Sequence, residues 1–97
     1  FKVTPIYPRR AQERGIMGYS IVTFTITETG TVENAEPLEG FCGDPTNPDT
    51  IYRPCSIFNS ALKRAAAKLK YKPKIVDGKA VKVDDVPHKF TFILEDT

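Results

Sequence analysis

Pro5-Ile6-Tyr7-Pro8-Arg9-Arg10-Ala11, followed by Gly15 and Gly18, leads into Tyr19-Ser20-Ile21-Val22-Thr23-Phe24-Thr25-Ile26-Thr27, and the order of these pieces decides the fold. Tyr7 precedes a proline and is pushed to extended or polyproline geometry, because the proline ring crowds the helical conformation of its predecessor. Pro8 suits a first helical position, where its missing N–H costs nothing. Arg9 to Arg14 then read as a short helix, with Ala11 as its small inward residue. Gly15 and Gly18 can supply the positive φ that ends a helix and turns the chain into a sheet. Beyond them Val22, Phe24 and Ile26 fall on one face of a strand, and Ile21, Thr23, Thr25 and Thr27 on the other. This period of two marks a sheet covered on one side. A stiff arm beside such a strand also locates a binding place.

Working outward, Glu28-Thr29-Gly30 predicts a hairpin turn, and Val32 to Leu38 a returning strand. Pro37 cannot donate to a ladder and suits an edge or a bulge. Ser56 is placed to cap a main helix from Ile57 to about Lys70, on which Phe58, Leu62, Ala65 and Leu69 make one apolar stripe. Pro73 stops that helix, and Asp77-Gly78 marks a turn within a short ribbon from Lys74 to Val83. The last strand runs from about Val86 to Glu95, with Phe90, Phe92 and Leu94 on its core face. The expectation is an α+β fold: two helices on one face of a small, mainly antiparallel three-stranded sheet. Residues 1–97 make one domain, with a cysteine-bracketed insertion at 40–55. The last strand pairs with the free side of the first and keeps an unpaired edge of its own.

Composition narrows the function classes. Ninety-seven residues suit one core. Fourteen Lys+Arg against twelve Asp+Glu leave +2, too mild a balance for nucleic acid as the main partner. No apolar run exceeds three residues, so nothing spans a membrane, and a chain opening on Phe1 reads as part of something longer whose anchor lies outside it. Cys42 and Cys55 flank a segment dense in Gly, Asp, Asn and Pro and match no zinc or redox spacing. A local disulfide restraining that loop is the favoured reading, with an oxidising compartment implied; two free thiols are the alternative.

At this point the residues resemble the C-terminal domain of TonB, the periplasmic energy transducer of Gram-negative bacteria. The likeness rests on Pro5-x-Tyr7-Pro8-x-x-Ala11 with Gly15 and Gly18, on Val22-x-Phe24-x-Ile26 with Gly30-x-Val32, and on Phe58, Ala61, Ala65, Tyr71-x-Pro73 and Gly78. Val86, Phe90, Phe92 and Leu94 complete it. The resemblance implies a non-enzymatic transducer that binds the TonB-box peptide of outer-membrane receptors by strand addition, coupling inner-membrane proton-motive force to uptake of iron-siderophore, haem or cobalamin. It implies peptide contacts at Thr4, Pro5, Ile6, Tyr7 and Arg10 on the arm side, and at Lys89, Phe90, Thr91, Phe92, Ile93 and Leu94 on the last strand. It further implies a periplasmic domain tethered to the inner membrane, proton-channel companions reached through an upstream part, and no cofactor. Thr4 stands where the family often has glutamine, Leu69 where it usually has tryptophan, and the cysteine-bracketed insertion is not a general family feature.

Other readings are weaker. A TolA-like envelope-integrity domain and the sensor domain of a membrane metallopeptidase share the architecture, and the Cys42–Cys55 loop suits a small protease inhibitor. His88, the sole histidine, reads as an ordinary strand residue and builds neither metal site nor triad. Asp84-Asp85 reads as a turn, since neighbours in an extended chain point apart. The basic run Lys63, Arg64, Lys68, Lys70, Lys72 and Lys74 reads chiefly as a solvated face, with a weak contact to peptidoglycan or anionic lipid heads as its functional alternative.

Overall fold

The computed structural model describes residues 3–94. In chain order it comprises α1 (Arg9–Arg14), β1 (Gly18–Ile26), β2 (Val32–Cys42), β3 (Arg53–Pro54), α2 (Asn59–Ala67), β4 (Lys74–Val76), β5 (Lys79–Val81) and β6 (Val83–Phe92). One antiparallel sheet has the order β3-β2-β1-β6, and β4 with β5 forms a separate ribbon. The α+β class with two helices therefore holds. The sheet has a fourth strand beyond the three expected, because the cysteine-bracketed segment returns along β2 and contributes the two residues of β3.

Both helices cover the face predicted by the alternation in β1. Val22, Phe24 and Ile26 are buried there with Phe90 and Phe92 from β6, under Ala11 of α1, Leu62 and Ala65 of α2, and Phe58 and Leu69 at the two ends of α2. At about 25 cal/mol per Å² of apolar surface, the valine, isoleucine, leucine and phenylalanine side chains among these stabilise the fold by roughly 1.5–3 kcal/mol each. α2 is shorter than Ile57–Lys70. Its cap position is Phe58, without a side-chain cap. Ser56 contributes its carbonyl rather than its hydroxyl, accepting the Asn59 N–H at 3.1 Å, so Ile57 and Phe58 form a turn before the helix. Pro8 likewise sits one residue earlier than a first helical position, at the cap, with extended backbone.

Of the two exit glycines only Gly15 has positive φ, at 68°. Gly18 is needed for space: a Cβ there would lie 2.1 Å from the Phe41 carbonyl oxygen as β1 and β2 pair. Gly30 combines both demands, with φ of 85° and a Cβ position 2.0 Å from the Tyr71 carbonyl oxygen. The close approach lets the Tyr71 N–H donate to the Gly30 carbonyl, at 2.9 Å, and ties the end of α2 to the hairpin.

The ladders carry three irregularities. β2 has an extra residue at Leu38, beside Pro37, and another near Asn34, whose φ is 55°. β6 has one at Asp84-Asp85, with Asp85 at φ 54° and the Thr25 hydroxyl donating to an Asp84 carboxylate oxygen at 2.8 Å. The turn expected at Asp84-Asp85 is thus a bulge inside a longer strand, which starts at Val83 rather than Val86. The extra residue lets Val83 and Val86, an odd number apart, both pack against the core. β6 ends at Phe92, leaving Ile93 and Leu94 beyond it; Glu95 lies outside the described residues.

Candidate functional site

The sheet's two outer edges differ in kind. β2 is bent by two bulges, carries Pro37, and is met by β3 at Phe41 and Cys42. Features of this sort obstruct further pairing. β6 pairs in unbroken register with β1 from Val86 to Phe92, matching Ile21 with Lys89, Ser20 with Phe90, Tyr19 with Thr91 and Gly18 with Phe92. Among the described residues no strand lies on its other side. In an antiparallel edge strand alternate residues turn their N–H and C=O groups outward, so this stretch presents a regular row of donors and acceptors.

The side chains along that row divide by parity. Phe90 and Phe92 are buried in the core, whereas Lys89, Thr91 and Ile93 are exposed and Leu94 is half-buried. The Phe90 and Phe92 side chains are therefore out of reach of an incoming segment.

The arm meets β6 through Tyr7. The Tyr7 ring stands edge-on to Phe92 at 5.6 Å and to Phe58 at 6.0 Å, and those two rings stack at 4.2 Å. The Tyr7 hydroxyl donates to the Ile16 carbonyl, and burial pushes its phenol pKa up. Tyr7 is thus a lid on the aromatic cluster beneath β6. Thr4, Pro5 and Ile6 line a cleft with Ala61, Arg64, Ala65 and Lys68 of the main helix region. Arg10 is exposed on α1.

An aromatic patch on the open face of the sheet was missed in the sequence. The Lys89 ammonium lies 4.3 Å from the Tyr19 ring centroid, and Tyr19 in turn packs on Phe41 at 5.4 Å and Tyr52 at 5.1 Å. Tyr52 comes from the bracketed segment, which the Cys42–Cys55 disulfide closes with a Cα separation of 5.7 Å. The segment also holds itself in shape. One Asp44 carboxylate oxygen accepts from the Thr46 N–H at 2.9 Å and from its hydroxyl at 2.5 Å, which lowers the Asp44 pKa. Thr50 donates to the Asp44 carbonyl at 2.7 Å, and the Cys55 N–H donates to Gly40 at 3.0 Å. Tyr19 and Tyr52 carried no sequence signal linking them; only the register does so.

His88 lies on the helix face against the Phe90 ring, at 4.5 Å. No helix among the described residues is long and apolar enough to cross a membrane.

Three comparisons bear on this arrangement. Residues 3–40 match the family described as Gram-negative bacterial TonB protein C-terminal. The chain is 35% identical over 77 residues to protein TonB of Pseudomonas aeruginosa, a match covering 79% of this chain and 19% of that protein. The solution structure of the Pseudomonas aeruginosa TonB C-terminal domain superposes with a TM-score of 0.67 at 30% identity, over 100% of this chain and 86% of that one. The TonB2 protein from Vibrio anguillarum gives 0.62 at 30% identity, over 99% and 79%.

Proposed function

This chain belongs to the TonB C-terminal domain family, and on that premise we propose that it is a periplasmic, non-enzymatic transducer domain that captures an extended peptide by strand addition. The peptide is the TonB-box segment of outer-membrane receptors. It lies along the outer edge of β6 from Lys89 toward Leu94, and the domain passes on work derived from the inner-membrane proton gradient. Inner-membrane companions act through a part of the protein outside this chain, which spans about a fifth of the length of its curated Pseudomonas relative.

The observation that carries this reading is the contrast between the edges. From Val86 to Phe92 β6 offers an unbroken row of backbone groups, while β2 is bulged, prolyl and partly covered. Strand addition uses main-chain hydrogen bonds for affinity and alternate side-chain positions for choice of partner. The exposed Lys89 and Thr91 supply those positions here, with Tyr19 beneath Lys89. Force applied along an added strand is shared over several hydrogen bonds. Tyr7, with Thr4, Pro5 and Ile6 before it and Arg10 after it, forms the flank that a receptor would meet.

An NMR titration with an extended receptor-box peptide tests this. Shifts should concentrate at residues 4–7 and 89–94. Methylating alternate peptide amides should abolish binding, while methylating the intervening ones should leave it unchanged. Shifts confined to 42–55, or indifference to all methylations, would reject strand addition at this edge.

A further inference from the structure

We infer that the groove between the arm and α2 is a second binding site, separate from the β6 edge, and that it takes a short acidic peptide segment with aliphatic anchors. Two clefts of about 300 and 250 Å³ share Ile6, Ala61 and Arg64 and so run together along the helix. The floor is the row Ile57, Ala61 and Ala65, and the rim is the row Ser60, Arg64 and Lys68, each spaced by four so that it stacks along one side. Opposite stands Ile6, an isoleucine 70% exposed at the lip of an apolar cleft.

The walls are preorganised. Tyr7 is held by its hydroxyl bond to Ile16 and by Phe58 and Phe92, and Pro5 and Pro8 stiffen the arm on either side. Little conformational freedom then remains to be lost when a ligand settles against Ile6.

Charge selects the ligand. No carboxylate lines either cleft, whereas Arg9, Arg64 and Lys68 do. Arg9 is already paired with Glu13 at 3.3 Å; among the described residues Arg64 and Lys68 have no ion pair. A segment placing an aliphatic side chain between Ile6 and Ala61, with carboxylates toward Arg64 and Lys68, satisfies both the floor and the rim. The concavity favours a peptide over a membrane surface, which a recessed floor cannot touch.

The test is a titration of the isotope-labelled chain with the peptide acetyl-Glu-Leu-Glu-Asp-Leu-Glu-amide at low salt. Saturable shifts are expected at Ile6, Ala61, Arg64 and Lys68. Arg64→Glu combined with Lys68→Glu, both at exposed positions, should weaken binding about tenfold or more, and Ile6→Ser should weaken it several-fold with the charges intact. The same double variant should leave binding of the extended peptide at the β6 edge unchanged, since Arg64 and Lys68 lie on neither that strand nor the arm. Undiminished binding after charge reversal, shifts confined to residues 74–81, equal weakening of the extended peptide by that reversal, or a response only to vesicles of anionic phospholipid would each overturn the inference.

Discussion

At the scale of single residues, Tyr7 and Ser20 show how a small core spends its polar groups. Tyr7 closes the aromatic cluster and finds a partner for its hydroxyl in Ile16. Tyr7→Phe should therefore cost about 1 kcal/mol in urea unfolding, the worth of one such bond. Burial raises the phenol pKa of both Tyr7 and Tyr71 above its ordinary value. Above about pH 10 the unfolded chain loses those protons first, so this contribution is complete below that pH and is lost as pH rises through the folded pKa. The double variant Tyr7→Phe, Tyr71→Phe should show a flatter decline in alkaline stability. Ser20 is the opposite case: its hydroxyl is fully buried without a partner among the described residues, facing Gly40 and paired across the ladder with Phe90. Ser20→Ala should be neutral or stabilising by up to about 1–2 kcal/mol, since an orphaned buried hydroxyl carries its desolvation penalty unrelieved. A loss of stability on thermal unfolding would mean that the hydroxyl has a partner in solution.

At the scale of elements, the bulges explain what pattern reading reached and what it missed. The periodicity of β1, the α2 stripe, the Glu28-Thr29-Gly30 turn and the Asp77-Gly78 ribbon were all legible, because each is a local repeat or a turn with its own chemistry. Register was not. Continued without interruption from the Ile26–Val32 pair, β1 would set Tyr19 opposite Glu39. The two extra residues in β2 set it opposite Phe41 instead. One bulge would have turned the wrong face to the core, and a second restores the alternation. The aromatic patch beside Lys89 depends on that double shift, and with it Tyr52 and the bracketed segment. Replacing Cys42 and Cys55 by serine should lower stability by about 3 kcal/mol, as the chain-entropy model gives for a loop of this size. Hydrogen exchange should then show β3 opening while the β1–β6 ladder stays protected. Equal loss of protection across both ladders would mean that the segment holds the whole sheet.

At the scale of the whole molecule, the chain is elongated, 49 Å along its long axis against 23 and 20 Å. The β4–β5 ribbon exposes Ile75 and Val76 and contributes no residue to the buried cluster. Lys74 and Val81 pair at its base, so a two-residue turn can bridge the gap. Substituting Gly-Ser for 74–81 should change stability by less than about 0.5 kcal/mol in denaturant titration. A larger loss would assign the ribbon a structural part. Charge is also uneven at this scale. Residues 68–82 hold six lysines and one aspartate, +5 in a chain of +2 overall, so the remainder is −3. That separation orients the domain toward anionic surroundings without a strongly basic composition.

Taken by itself, the sequence determined which faces are buried, the order of the helices and the hairpin and ribbon turns, that two cysteines bracket a loop, and which family the residues resemble. These follow from side-chain period, from proline and glycine stereochemistry and from order along the chain, all of which are local. Only the tertiary structure decided the register of the strands, the fourth strand, the docking of Tyr52 on Tyr19, and the packing of Thr4, Pro5 and Ile6 alongside α2. Each of these depends on residues far apart in sequence meeting across the core, and on single inserted residues whose effect appears only when two strands are paired.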